Sequence, residues 1–350
     1  MIMAIAHLFL IGLWIYILAI ITDGFFVKSL DQIAIRWALP QSVAGASLMA
    51  MGSSAPELAI ATFALFGDGG EHSDVGIGTI VGSAIFNILV IPGASAIARP
   101  VDVGVRVMMR DSVFYLGSVM ALIWAIYDQH IAVYEAAVLL VVYGSYLAVL
   151  FRGRKAASNS EESDDAEESE EENASNFWPT RMLSAVLSFL CKDPSQHPYR
   201  TFAVSIVLIA GVCHFLVESA IGFSAGVGIP PVIVALTILA AGTSVPDLIS
   251  SVIVARKGRG EMAVANAVGS NIFDILIGLG LPWLIALVFL GQSVQVGTEG
   301  LLTSTVLLVG TVLLLTGMVA VGRGLGRAKG GILLACYGAY VVWVCISAVG

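Results

Sequence analysis

Apolar runs long enough to cross a bilayer recur along the whole of this 350-residue chain. A helical span takes roughly twenty apolar residues. Ten such runs can be laid out, at 2–22, 42–66, 74–98, 111–128, 131–151, 200–221, 230–255, 262–288, 299–321 and 330–349. With 58% hydrophobic and 12% charged residues, the chain is too apolar for a soluble globular protein. The short alternating strands of a membrane barrel are not seen. The expected fold class is an all-α integral membrane protein of ten transmembrane helices. The first run lacks a basic n-region and reads as a retained span rather than a removed leader.

Charge fixes the orientation. All 17 Lys and Arg fall on one set of alternate connections: 23–41, 99–110, the long hydrophilic stretch 152–199 with Arg200 at its edge, 256–261 and 322–329. The opposite connections hold none. By the positive-inside rule the 152–199 stretch is cytoplasmic and both termini face outward, most simply in a cell membrane. The net charge of −8 reflects nine acidic residues between Glu161 and Glu172 and leaves no basic surface for nucleic acid. Residues 158–173 are acidic, Ser-rich and free of large apolar side chains, which predicts a solvated, unstructured linker. Beyond it Met182, Leu183, Val186, Leu187 and Leu190 fall at helical spacing, which suggests a short helix on the cytoplasmic membrane surface, with a loosely packed linker as the alternative. The four cysteines have no metal-ligand or redox spacing.

One pair of motifs occurs twice. Gly-Ser-Ser-Ala-Pro-Glu-Leu at 52–58 and a second motif at 81–89 lie in the first part of the chain; Gly-Thr-Ser-Val-Pro-Asp-Leu at 242–248 and a second motif at 268–276 lie in the last. The linker therefore separates two five-span units, 1–151 and 200–350. Tandem units with an odd number of spans sit in opposite orientations, so the expected architecture is an inverted repeat.

The motifs carry oxygen. Pro56 and Pro246 each lack an N–H and clash with the preceding turn, so a kink or break is expected there, freeing carbonyls around Ala50–Gly52 and Ala240–Gly242. Ser53 and Glu57, Ser83 and Asn87, Thr243 and Asp247, Ser270 and Asp274 are each four apart and share a helical face. Hard cations take this donor set: calcium binds six to eight oxygens from carboxylates, amides, hydroxyls and carbonyls. No His or Cys lies nearby to suggest zinc or copper. A carboxylate at mid-bilayer costs about 2.5–3.5 kcal/mol on insertion scales. Glu57, Asp247 and Asp274 lie in spans without Lys or Arg, so mobile cations or protons must neutralise them. His214 and Glu218 share a face near the outer end of span six and read as interfacial structural residues. With no nucleophile–base pair or cofactor motif, the chain is not expected to be an enzyme.

These motifs, with Val-Gly-Ser-Ala-Ile-Phe-Asn-Ile-Leu at 81–89 and Leu-Pro-Trp at 281–283, resemble the two α-repeats of the cation/calcium exchanger superfamily, and within it the potassium-dependent sodium/calcium exchangers. The resemblance covers all ten spans. It implies Glu57 and Asp247 as principal calcium ligands. Ser53, Ser54, Thr243, Ser244, Ser83, Ser270, Asn87 and Asp274 would add ligands for sodium and potassium, with the carbonyls of Ala50 and Ala240. Ala84 stands where the second repeat has Asn271, making the site less symmetric than the helices. The chain departs from the larger animal members in showing no cleavable leader, long outer N-terminal region or large cytoplasmic loop. The implied activity is secondary antiport of sodium against calcium, with potassium accompanying calcium, by alternating access in which spans one and six move against the other eight. A potassium-independent sodium/calcium or a proton/calcium exchanger is the alternative, and a cation channel a more distant one. The expected partners are calcium, sodium and potassium ions and the lipid bilayer, with no cofactor, nucleic acid or obligate protein partner.

Overall fold

The computed structural model describes residues 2–37, 50–67, 73–157, 191, 193–297, 300–321 and 324–347. Among these residues nine helices are long and apolar enough to cross a membrane, and Ala55–Phe66 is a shorter apolar helix beside them. The acidic linker and its expected surface helix lie outside the described residues, as does the start of the second run.

In chain order the first part comprises α1 (Ile2–Ile21), a π-helical segment (Thr22–Val27), α2 (Lys28–Arg36), α3 (Ala50–Ser53), α4 (Ala55–Phe66), α5 (Ser73–Ala98), α6 (Val105–Ile126) and α7 (Val133–Ala157). The second part comprises α8 (Pro198–Val227), α9 (Pro231–Val234), a second π segment (Ala235–Leu239), α10 (Ala240–Arg256), α11 (Gly260–Phe273), a third π segment (Asp274–Leu279), α12 (Gly280–Val288), α13 (Leu301–Ala320) and α14 (Arg327–Ser347).

Two expectations need correction. The connection 23–41 is helical as far as Arg36, because Phe26, Leu30 and Ile33 recur on one buried face while Lys28, Asp31 and Arg36 occupy the rest. The first charges mark an amphipathic continuation rather than the helix end. At Pro246 helix α10 is not interrupted; the irregularity lies upstream, in Ala235–Leu239. There the Thr237 hydroxyl donates to the Ile233 carbonyl at 2.6 Å, the acceptor that its own N–H would use in α-helical register. Pro56 behaves as expected: the helix stops at Ser53 and restarts at Ala55.

Helix α5 is the axle of the molecule, buried over nearly all of Ser73–Ala96. It packs against α4, α10, α11, α13 and α14. Small residues permit this. A Cβ on Gly76 would meet the Ala61 backbone at 2.8 Å, and one on Gly82 would lie 2.7 Å from the Ala240 Cβ. Such close backbone approach is how helices associate where no hydrophobic effect operates between them.

Helix contacts follow an exchange of the two halves. Helices α1 and α8 pack together, as do α5 and α11, and α6 and α13. The contact of α5 with α14 has its counterpart in α12 with α7. Two short antiparallel strand pairs repeat the exchange. β1 (Val101–Asp102), after α5, pairs with β4 (Gly324–Leu325), after α13; β2 (His130–Ile131), after α6, pairs with β3 (Val294–Gln295), after α12. Apolar burial divides differently. Residues of α1, α8 and α2, such as Ile11, Leu18, Leu216 and Leu30, cluster with α4 and the Ala235–Leu239 segment, apart from the main core around α5, α6 and α11.

Gly82→Ala is expected to lower stability by about 1–3 kcal/mol, the range for overpacking a filled interior. Gly117, which has nothing within 4 Å of its added Cβ, is the control. Thermal unfolding in detergent should separate the two alanine variants; equal melting temperatures would contradict the close approach.

Candidate functional site

The second members of the two motif pairs are held by α5 and α11, and the first members by α3–α4 and α10. In α4, Ser54 stands at the N-cap position, Pro56 is in the first turn, and Glu57 follows it there. Proline suits that turn because its missing N–H has no partner to lose, and the helix N-terminus favours a carboxylate. Asp274 is the first residue of the π segment ahead of Pro282, and Ala240 immediately follows the π segment of the preceding span. Ala50 opens α3.

Burial separates eleven of the expected site residues into two groups. Glu57 (3% exposed) and Asp274 (1%) are buried, with Ser54, Ser83, Asn87, Thr243, Ser244, Ser270 and the Ala240 side chain. Asp247 and Ser53 are half-buried and line a cleft of ≈ 20 Å³ with Thr243. The carboxylates act on one another: Glu57 lies within electrostatic reach of both Asp247 and Asp274, and Asp274 within reach of Asp247. The Thr243 hydroxyl lies beside Glu57, and that of Ser54 beside Asp274. No basic side chain figures among the groups acting on the three, among the described residues. Nor, among the described residues, do any three His, Cys, Asp or Glu side chains converge tightly enough to hold a metal by themselves. A cation at this place would be held by carboxylates together with neutral oxygens.

Six oxygens of this group are available for that. Ser54 Oγ, Glu57 Oε2, Ser83 Oγ, Asn87 Oδ1, Ser244 Oγ and Asp274 Oδ1 are all buried and make no well-formed hydrogen bond among the described residues; Ser54 lies beside the Asp274 carboxyl without reaching bonding geometry. Stranding a buried polar group costs about 1–3 kcal/mol, more when it is charged. Thr243 and Ser270 differ, since their hydroxyls donate to carbonyls of their own helices, Thr243 to Leu239 at 3.2 Å and to Ala240 at 3.3 Å, Ser270 to Ala267 at 3.3 Å. Their lone pairs stay free, but the Ala240 carbonyl is partly engaged.

Asn271 is structural. Its Nδ2 donates to the Ala84 carbonyl at 3.1 Å and to the Tyr115 hydroxyl at 2.9 Å, and its Oδ1 accepts from Asn87 Nδ2 at 2.9 Å. It thereby fixes the amide of Asn87, whose oxygen is left unpaired. The sequence motifs omit Tyr115, Thr22 and Asp23. Tyr115 lies in a span without a motif, and Asp23 follows the end of an apolar run, where a carboxylate reads as loop.

The family model described as "Sodium/calcium exchanger protein" matches residues 7–152 and 197–346. The chain belongs to the sodium/calcium exchanger family. Sodium/potassium/calcium exchanger 5 of Homo sapiens is 32% identical over 375 residues, covering 85% of this chain and 74% of its own. Sodium/potassium/calcium exchanger 4 of Mus musculus is 27% identical over 498 residues, covering 95% and 79%. Among solved structures, the sodium-calcium exchanger NCX_Mj soaked with Na+ and Sr2+ superimposes with a TM-score of 0.57 at 25% identity, over 97% of this chain and 98% of that one. Membership in this exchanger family makes the chain a multi-pass membrane transporter rather than an enzyme.

For this exchanger-family chain, Asn271→Leu is expected to cost about 1–3 kcal/mol, by stranding the Tyr115 hydroxyl and the Asn87 amide in the interior. An unfolding midpoint equal to that of the parent protein would contradict the bridging role.

Proposed function

We propose that the chain is a secondary active antiporter exchanging sodium for calcium, with potassium accompanying calcium, at one midplane site. The observation that carries this reading is the set of six buried oxygens that have no hydrogen-bond partner among the described residues, on the four helices of the duplicated motifs, with no basic side chain among those residues acting on the carboxylates. Transported cations satisfy those oxygens when bound. The names of the human and mouse relatives support potassium coupling; that of NCX_Mj favours the alternative, sodium/calcium exchange without it.

The charge arithmetic suits the first reading. Three ionised carboxylates give the site −3, which calcium plus potassium balances in an occluded, low-dielectric state. With one carboxylate protonated, calcium alone balances the remaining −2. Glu57 and Asp247 serve as the principal calcium ligands and Asp274 as the carboxylate that admits potassium. Ser53, Ser54, Ser83, Asn87, Thr243, Ser244, Ser270 and the carbonyls of Ala50 and Ala240 complete the coordination.

The architecture is ten spans in two inverted five-span units, divided at the 152–199 linker. The exchange of helix and strand partners between the halves supports it, because β1–β4 and β2–β3 become each other under a two-fold axis in the membrane plane. Alternating access arises from α1 and α8 moving as a pair, and their mutual contact and common apolar cluster support that unit. The linker faces the cytoplasm, both termini face outward, and the protein works in the cell membrane.

In proteoliposomes, an outward sodium gradient should drive calcium uptake, and Glu57→Ala or Asp247→Ala should reduce it to the level of protein-free vesicles. Uptake equal to that of the parent would remove those residues from the ligand set. Asp274→Asn should leave exchange that no longer responds to potassium; a variant that still requires potassium would assign potassium coupling elsewhere.

A further inference from the structure

The cleft that reaches Asp247 has a second wall. On one side stand Ser53, Thr243 and Asp247; on the other, α1 and its π-helical continuation supply Thr22 and Asp23. Asp23 is exposed and within electrostatic reach of Asp247. Thr22 is 3% exposed, and its Oγ1 has no hydrogen-bond partner among the described residues. The volume of ≈ 20 Å³ suits about one water molecule or a single small cation. Both residues open a π segment, a distortion that recurs at functional sites.

We propose that Thr22 and Asp23 form, with the Asp247 carboxylate, a loading subsite for a partly dehydrated metal cation at the mouth of this cleft, outside the buried Glu57–Asp274 position. This rests on the antiport reading. The subsite takes hard cations, calcium above sodium, because an exposed carboxylate facing a second carboxylate concentrates divalent charge while the Thr22 hydroxyl replaces one water ligand. Asp23 lies within the span Met3–Ile33, nearer its Ile33 end, so the subsite serves the face towards which that end runs, the 23–41 face. A cation held there passes to Asp247, which borders both places.

The test is calcium transport by the full chain in oriented membrane vesicles, with calcium varied separately at each face. Asp23→Asn is expected to raise the calcium KM at the 23–41 face by roughly three- to tenfold, with turnover at saturating calcium reduced far less, and the effect should shrink in high salt. The KM at the opposite face should not change, and Asp23→Glu should restore most of the loss. An unchanged KM, or an equal rise at both faces, would overturn the subsite. If Asp23→Asn does not fold, Thr22→Val carries the test: its shape is kept and its hydroxyl lost, and a KM at the 23–41 face equal to that of the parent overturns the proposal. Absence of sodium-driven calcium flux in the parent protein would instead overturn the antiport reading, leaving the two failures distinct.

Discussion

Burying carboxylates in a bilayer without a basic partner is the constraint on which this molecule turns. Every Lys and Arg falls in or at the edge of the connections between the apolar runs, while Glu57 and Asp274 are among its most buried side chains. Two carboxylates so placed need a cation or a proton to neutralise them, and hydroxyls and an amide oxygen alone do not do so. The surrounding structure keeps that need unmet from within. Asn271 and Tyr115 satisfy each other and tether Asn87, yet leave the Asn87 oxygen unpaired.

The helices distort where oxygen is concentrated. The break at Ser54 precedes Glu57, one π segment begins at Asp274, another ends just before Ala240, and a third begins with Thr22 and Asp23. Regular α-helix uses its backbone acceptors internally; a distorted turn does not, and in a membrane it survives only where protein or a polar cavity covers it. Helix α5 supplies that cover for Ala235–Leu239 and Asp274–Leu279, against which it packs. Its glycines let the neighbouring backbones come close enough to enclose the irregular turns, so the residues that make the bundle compact also isolate the site from lipid.

Much of this was legible in the sequence because membrane spans and duplicated polar motifs are strong signals. The expected runs from 74–98 onward match the helices to within a few residues at most ends, and Pro56 breaks its helix as expected. Other features were hidden for physical reasons. A helix buried all round has no amphipathic phase, so nothing in Ala235–Leu239 or Asp274–Leu279 announces a π turn. Pro246 looks like Pro56, yet its helix runs through and distorts earlier, where the Thr237 hydroxyl competes for a carbonyl. Asn271 stands in a motif among the expected ligands, and its bridging role appears only from its partners, one of them 184 positions away. Asp23 looks like loop because charge begins there, although the helix continues as an amphipathic one.

The most direct measurement is the position of a bound divalent ion in crystals of this protein grown with strontium, which replaces calcium and scatters anomalously. A peak directly coordinated by Glu57 and Asp247 oxygens, at distances slightly longer than the roughly 2.3–2.6 Å of calcium because strontium is the larger ion, is the predicted result. Divalent density confined to the surface, with those carboxylates unliganded at saturating strontium, would contradict the account.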